Sequence, residues 1–99
     1  MLTGKQRTYL KGLAHGIKPI FQIGKFGITD ILLSELDNAL EARELIKINI
    51  LETSLLDTKQ AANQVAEALN AEFVQAIGNK FTIYRLSKNN PKIELPKKS

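Results

Sequence analysis

Helical and extended hydrophobic patterns alternate along this chain, and the alternation constrains the fold more than any other sequence feature. Three segments with helical spacing of apolar residues begin after Thr3, Thr29 and Asp57, which are residue types that cap helix N-termini. Four short segments rich in β-branched and aromatic residues predict strands at 20–23, 45–51, 73–77 and 81–86. The order α-β-α-β-α-β-β predicts an α/β (α+β) fold of two or three layers, with helices packed on a mixed sheet.

The first helix is predicted to bury one side and to expose a basic one. Arg7 and Lys11 fall opposite an apolar stripe made of Leu2, Tyr9, Leu10 and Leu13. The segment 20–23 that follows lies between Pro19 and Gly24, and its composition predicts a short buried strand.

The second and third helices are each predicted to pack through one stripe. The second runs to about Arg43, with apolar residues at Leu32, Leu33, Leu36, Ala39 and Leu40. Its opposite side is acidic, and we expect Glu41 and Glu44 to be solvated there. The third helix packs through Ala61, Ala62, Val65, Ala66 and Leu69. Gly78-Asn79 then predicts a tight hairpin between the last two strands.

Length and composition limit the chain to one domain and exclude several kinds of site. The chain has 99 residues, of which 43% are hydrophobic, enough for a single core. With no cysteine and one histidine, neither a disulfide framework nor a thiolate or polyhistidine metal site is expected. We find no membrane-spanning run and no secretory signal, and therefore expect a cytoplasmic protein. Residues 1–88 are the predicted domain, and 89–99 a basic tail, mobile or loosely docked.

Charge is distributed unevenly along the chain. Residues 1–28 carry a net charge of +5, residues 29–72 carry −6 and residues 73–99 carry +5, which together make the net charge of +4. If the two ends of the chain meet in the fold, they form a basic surface suited to a polyanion. The alternative is an ordinary solvated surface.

A glycine-flanked loop, Gly24-Lys25-Phe26-Gly27, is predicted between a strand end and a helix start. Unpaired backbone N–H groups and the helix dipole favour phosphate at such a place, and Lys25 adds a mobile charge. A GxxG segment of this kind holds the nucleic-acid backbone in KH domains, although it also occurs as a plain turn. Phe26 can stack on a base or pack onto the helix, and we favour packing. His15 can contact a phosphate when protonated, or simply end its helix.

Several further segments, in order, resemble one known family. They are Leu2-Thr3-Gly4-Lys5-Gln6-Arg7, Leu13-Ala14-His15, Lys18-Pro19, Ile23-Gly24-Lys25-Phe26-Gly27, Thr29-Asp30, Glu44-Leu45-Ile46-Lys47-Ile48, Val74-Gln75-Ala76-Ile77-Gly78, Ile83-Tyr84-Arg85 and Leu95-Pro96-Lys97. With these the chain resembles the CRM domain (chloroplast RNA splicing and ribosome maturation) in its free-standing bacterial, YhbY-like form. Phe26 departs from the polar or small residue that relatives often have, and Leu86-Ser87 stands where a proline often follows.

The resemblance implies a fold like the C-terminal domain of translation initiation factor three, with a four-stranded mixed sheet and an exposed GxxG loop. It implies RNA binding without catalysis, in precursors of the large ribosomal subunit. The implied RNA-binding residues are Gly24, Lys25, Phe26 and Gly27 with Lys5, Arg7, Lys11 and Lys18. Our full candidate set adds Thr29, as the helix cap beside the loop, and His15.

The sequence therefore predicts a monomeric protein that binds ribosomal RNA through phosphate contacts, with weak base readout. No nucleophile–base pair or paired acid and base is evident, so we expect no enzyme, cofactor or small-molecule substrate. Two other functions stay open. One is an adaptor that binds a ribosomal protein or assembly factor through the acidic face of its second helix, and the other is DNA binding on a related fold.

Overall fold

Seven elements follow one another in the predicted order in the computed structural model, which describes residues 2–97. They are α1 (Gly4–Ala14), β1 (Phe21–Ile23), α2 (Asp30–Arg43), β2 (Leu45–Ile50), α3 (Thr58–Ala68), β3 (Glu72–Ile77) and β4 (Lys80–Tyr84). The strands form one sheet in the order β1-β2-β4-β3. β1 pairs parallel with β2, whereas the other two pairings are antiparallel. The predicted mixed four-stranded sheet is confirmed.

The sheet lies between two helical layers, because alternate side chains of each strand point to opposite faces. Ile46, Ile48 and Ile50 of β2 join α2 and α3 in the larger buried cluster. Leu45, on the other face, joins Leu10 of α1 in a smaller cluster with Val74 and Tyr84. The architecture is therefore three-layered, with α1 on one face and α2 and α3 on the other.

Each helix begins at the residue that the sequence predicts. The Thr3 hydroxyl accepts the Gln6 N–H while the Gln6 side chain accepts the Thr3 N–H, which is a complete capping box. The Asp57 carboxylate accepts the Gln60 N–H at 3.1 Å. The predicted packing face of α3 is confirmed, since Ala61, Ala62, Val65 and Ala66 are buried and Leu69 packs against their cluster.

The buried side of α1 is rotated from the predicted stripe. Tyr9 and Leu13 are 42% and 37% exposed, whereas Gln6, Leu10 and Ala14 are buried. Gln6 faces inward because its Nε2 donates to the Pro96 carbonyl at 2.9 Å, a contact between the two ends of the chain. The prediction for Tyr9 and Leu13 is therefore wrong, because a long-range hydrogen bond decides which side of α1 is covered.

The strand predicted at 20–23 is not buried. β1 pairs with β2 alone and lies at one edge of the sheet. Gln22 is exposed, Ile20 is 37% exposed, and Ile23 is the buried residue of the strand. The segment is too short to support a central position, because Pro19 and Gly24 limit its pairing to three residues.

The prediction that Glu41 and Glu44 are solvated is wrong for Glu44, whereas Glu41 is partly exposed but hydrogen-bonded. Glu44 is completely buried, and its carboxylate accepts backbone N–H groups of Ser87, Lys92 and Ile93 at 2.6–2.8 Å. Glu41 accepts the Ser87 hydroxyl and two further backbone N–H groups of the same segment. Residues 87–93 thus lie along the C-terminal half of α2, and Ile93 and Leu95 pack beside Leu10. The domain boundary at 88 stays a prediction.

Candidate nucleic-acid interface

Five segments lie at one end of the sheet, namely two loops, the hairpin turn and the N-termini of two helices. β1 and β2 are parallel, so the loop 24–27 and the loop after β2 leave the sheet at the same end. The two loops are joined by the Leu51 N–H, which donates to the Ile23 carbonyl at 2.9 Å. The hairpin turn lies here as well, because the Ile50 N–H donates to the Asn79 carbonyl at 2.7 Å. The N-termini of α2 and α3 complete what we call the loop end of the molecule.

The loop 24–27 forms a tight turn whose side chains point into solvent. The Gly27 N–H donates to the Gly24 carbonyl at 3.0 Å, and Gly27 has a φ of 68°, in the left-handed region that favours glycine. Lys25 is exposed and Phe26 is 82% exposed. Our expectation that Phe26 packs onto the first turn of α2 is therefore wrong. Its ring lies beside Lys25 instead, with the Nζ atom 5.1 Å from the ring centroid.

Thr29 caps α2 as predicted and leaves donors free for a ligand. Its Oγ1 accepts the Leu32 N–H at 3.1 Å and its carbonyl accepts the Leu33 N–H at 2.9 Å. The N–H groups of Asp30 and Ile31, in the first helical turn, have no intrahelical acceptor. These donors and the positive end of the helix dipole lie next to Lys25, so the first turn of α2 can bind an anion such as phosphate.

Acidic side chains also lie at the loop end. Asp30 is exposed in the first turn of α2, and Glu52 is exposed in the loop after β2. A carboxylate in the first turn interacts favourably with the helix dipole, but it repels an incoming phosphate. The loop end thus carries side chains of both charges rather than a purely basic patch.

The predicted cations of α1 lie away from the loop. Arg7 Nε donates to the Phe73 carbonyl at 3.2 Å, which holds Arg7 at β3, the opposite edge of the sheet. Lys11 lies beside it, and both line a groove of about 780 Å³ with Lys59 of α3. Three strand spacings separate β1 from β3, or about 14 Å. Lys5 is exposed in the first turn of α1.

Two other predicted residues occupy separate places. His15, at the C-terminal end of α1, lines a cavity of about 350 Å³ together with Lys47 and Lys80. Lys18 lines a different cavity of about 460 Å³ with Arg43. The structure therefore brings Gly24, Lys25, Phe26, Gly27 and Thr29 together, and it distributes Lys5, Arg7, Lys11, His15 and Lys18 over the α1 side and both edges of the sheet.

Four cations that the candidate set omits lie beside its members. Lys59 joins Arg7 and Lys11, Lys47 and Lys80 join His15, and Arg43 joins Lys18. Lys59 and Lys47 belong to the segment 29–72, whose net charge is negative. The charge distribution along the sequence therefore does not indicate that they lie on a basic surface. Lys80 is the first residue of β4, directly after the hairpin turn. It lies near α1 because of the order of the strands in the sheet, which the sequence does not show.

Residues 2–97 contain no group of three or more His, Asp or Glu side chains that could hold a metal ion. Among the same residues, no helix has the length and apolar character needed to cross a membrane.

One family model matches most of this chain, and named proteins are similar to it over nearly its whole length. The family model of the CRS1/YhbY (CRM) domain matches residues 2–85. "Probable RNA-binding protein YqeI" of Bacillus subtilis is 44% identical, over 97% of this chain and all of the relative. An "RNA-binding protein" of Haemophilus influenzae is 37% identical, over 98% of this chain and 97% of the relative.

A solved structure is similar over nearly the whole chain. The solution structure of the Staphylococcus aureus protein SAV1595, described as a candidate RNA-binding protein, superposes with a TM-score of 0.81. It is 52% identical in sequence and covers 97% of this chain, which corresponds to all of that protein. The match of the family model and the identity to the relatives confirm the resemblance seen in the sequence, and the chain belongs to the CRS1/YhbY (CRM) domain family.

Proposed function

We propose that this protein binds RNA without catalysing a reaction, and that the loop 24–27 with the first turn of α2 holds an RNA phosphate. The observation that carries the proposal is the exposed Lys25 beside unpaired N–H donors at a capped helix N-terminus. The names of the relatives from Bacillus subtilis and Haemophilus influenzae support RNA as the ligand.

Binding at the loop consists of one close contact and several weaker ones. The N–H groups of Asp30 and Ile31 donate to phosphate oxygens, while Lys25 neutralises the charge from the solvent side. A strand that continues across the sheet meets a second set of cations in the groove of Arg7, Lys11 and Lys59. Such contacts follow the backbone, so affinity depends little on base sequence.

The proposed ligand is ribosomal RNA in precursors of the large ribosomal subunit, bound in the cytoplasm by the monomer. The family resemblance supports this choice. Crosslinking in cells, followed by sequencing of the attached RNA and sedimentation of the particles, tests it. We expect crosslinks in large-subunit RNA and co-sedimentation with pre-large-subunit particles. Crosslinks confined to other RNAs would contradict the ribosomal assignment while leaving RNA binding intact.

The loop itself is tested by reversing one charge. Lys25→Asp is expected to weaken RNA binding in a filter assay by about tenfold or more, because it places a carboxylate beside the phosphate. Lys88→Asp is the matched control, since Lys88 is also exposed but lies by Glu41, near the other end of α2. Equal losses in the two variants would show that only net charge matters and would contradict a site at the loop.

The two alternative functions have less support. An adaptor surface on the acidic side of α2 would need free carboxylates, but Asp37, Glu41 and Glu44 bind Arg85 and the segment 87–93. DNA binding is tested by competition between matched RNA and DNA oligonucleotides. We expect RNA to compete more strongly, and equal competition would favour a general nucleic-acid binder.

A further inference from the structure

Phe26 is exposed in a way that its own domain does not explain. Of the four phenylalanines, Phe81 is fully buried, Phe21 and Phe73 are half-buried, and Phe26 is 82% exposed at the tip of the loop 24–27. An aromatic ring this exposed at the tip of the proposed RNA-binding loop is free to stack on a ligand.

The ring is held in a defined setting. Lys25 Nζ lies 5.1 Å from its centroid, so a cation occupies one side of the ring and the other side is open. Gly27, with its positive φ, fixes the turn that carries the ring outward. The loop therefore presents an aromatic face and a positive charge together.

Two further apolar side chains are exposed at the loop end. Ile31, in the first turn of α2, is 74% exposed, and Leu55, in the loop after β2, is fully exposed. That second loop touches the first, since a Cβ placed on Gly24 would lie 3.7 Å from both Leu51 and Thr53. Apolar groups from three segments are thus exposed at the same end of the sheet as the N–H donors of Asp30 and Ile31.

We propose that Phe26 stacks on an unpaired RNA base adjacent to the phosphate bound at the first turn of α2, so that the loop selects single-stranded RNA over duplex. This inference rests on the proposed function of the loop. Every base has a π face that an aromatic ring can cover, whereas bases within an A-form duplex are already stacked on each other. The positive charge beside the ring favours a nucleotide over the apolar surface of a protein partner.

The chain contains no tryptophan, so Phe26→Trp introduces a single fluorescent reporter at the loop. We would titrate this variant with a ten-nucleotide single strand and with a blunt duplex of the same sequence. Stacking predicts that the single strand quenches the indole fluorescence, binds at least as tightly as it binds the unaltered protein, and binds more tightly than the duplex. Binding of the single strand without quenching would overturn the inference.

A second variant measures the affinity that stacking supplies. Phe26→Ala is expected to weaken single-strand binding by at least about fivefold, the lower limit for loss of one base–aromatic stack, and to change duplex binding much less. Leu86→Ala is the control, because Leu86 is 58% exposed and lies beyond the end of β4, at the opposite end of the sheet. Circular dichroism checks that each variant is folded.

The two proposals fail in different ways. If Lys25→Asp abolishes binding while Phe26→Ala preserves both affinity and single-strand preference, the phosphate site stands and stacking is overturned. If neither change alters RNA binding, the loop is not the RNA site and both proposals are overturned. The exposed apolar side chains of the loop end would then favour binding of a protein partner.

Discussion

At the scale of single residues, Glu41 and Glu44 have the largest effect on local structure. Together they accept hydrogen bonds from five residues of the C-terminal segment, Ser87, Lys88, Asn89, Lys92 and Ile93. Glu44 also adopts a φ of 67°, which is unfavourable for a residue with a side chain and is sustained by these buried bonds. Sequence periodicity cannot show such contacts, because the partners are backbone groups more than forty positions away.

The pKa of Glu41 predicts a loss of stability in acid. Hydrogen bonds from the Lys88 N–H, the Ser87 hydroxyl and the Asn89 N–H lower the pKa of Glu41 from 4.5 to about 2. As the pH falls, Glu41 is protonated in the unfolded chain before it is protonated in the folded protein. The stabilisation that its hydrogen bonds give the fold is therefore complete above about pH 4.5 and disappears as the pH approaches 2.

Thermal melts between pH 7 and pH 2 measure this effect. We expect the melting temperature to fall below pH 4.5 and to fall less steeply in Glu41→Gln, which has no proton to gain. Glu35→Gln is the control, since Glu35 is an exposed acid of the same helix. The same pH dependence in Glu41→Gln and the unaltered protein would contradict the role of Glu41.

Asp30 gives a residue-scale prediction for binding. Its carboxylate is exposed in the first turn of α2, where we place the RNA phosphate. Removing the negative charge with Asp30→Asn is expected to raise RNA affinity about threefold at low salt, and less at high salt because ions screen the repulsion. Glu67→Gln, an exposed acid near the C-terminal end of α3, is expected to have no effect. An unchanged affinity in Asp30→Asn would place the phosphate elsewhere.

At the scale of elements, short sequence patterns predicted where the helices and strands lie in the chain. They did not predict which elements pair or pack with one another. The caps Thr3, Thr29 and Asp57 act over three residues, so the sequence alone locates the start of each helix. The edge position of β1 and the rotation of α1 depend on pairings between distant parts of the chain. Phe26 was misassigned for a related reason, because local sequence does not reveal whether a surface is available to cover a side chain.

The C-terminal segment is expected to behave as part of the domain. Ending the chain after Leu86 removes Ile93 and Leu95 from the Leu10 cluster and leaves the Glu44 carboxylate buried without its partners. We expect a loss of about 3 kcal/mol or more in the free energy of unfolding, measured with urea. Removing only 97–99 is expected to change little, because Lys97 is exposed. Equal stability of the two truncated chains would contradict the docking.

At the scale of the whole molecule, the order of the strands in the sheet determines which cations lie close together. The basic N-terminal and C-terminal segments do meet, through Gln6 and Pro96 and through Leu10, Ile93 and Leu95. The strand order nevertheless places the loop of Lys25 and the Arg7 contact with Phe73 at opposite edges of the sheet, which lie about 14 Å apart. The sequence therefore predicted the exposed loop 24–27 and the cap at Thr29, but not which cations lie beside one another.

Salt dependence tests whether phosphate contacts dominate binding by the molecule as a whole. If about four phosphates of a single strand are neutralised, log K falls with log salt at a slope of about −3, which is roughly fiftyfold between 50 and 200 mM. Filter binding at several salt concentrations measures the slope. A nearly flat dependence would exclude an electrostatic mechanism.

The most direct test of the central claim is a map of the RNA contact on the folded protein. Backbone amide resonances recorded by NMR during titration with a short single-stranded RNA report each N–H group separately. Our account predicts that the largest shifts occur at Gly24–Ile31, with smaller ones at Arg7, Lys11 and Lys59. Shifts confined to the C-terminal half of α2 and residues 85–93, with the loop unchanged, would contradict it.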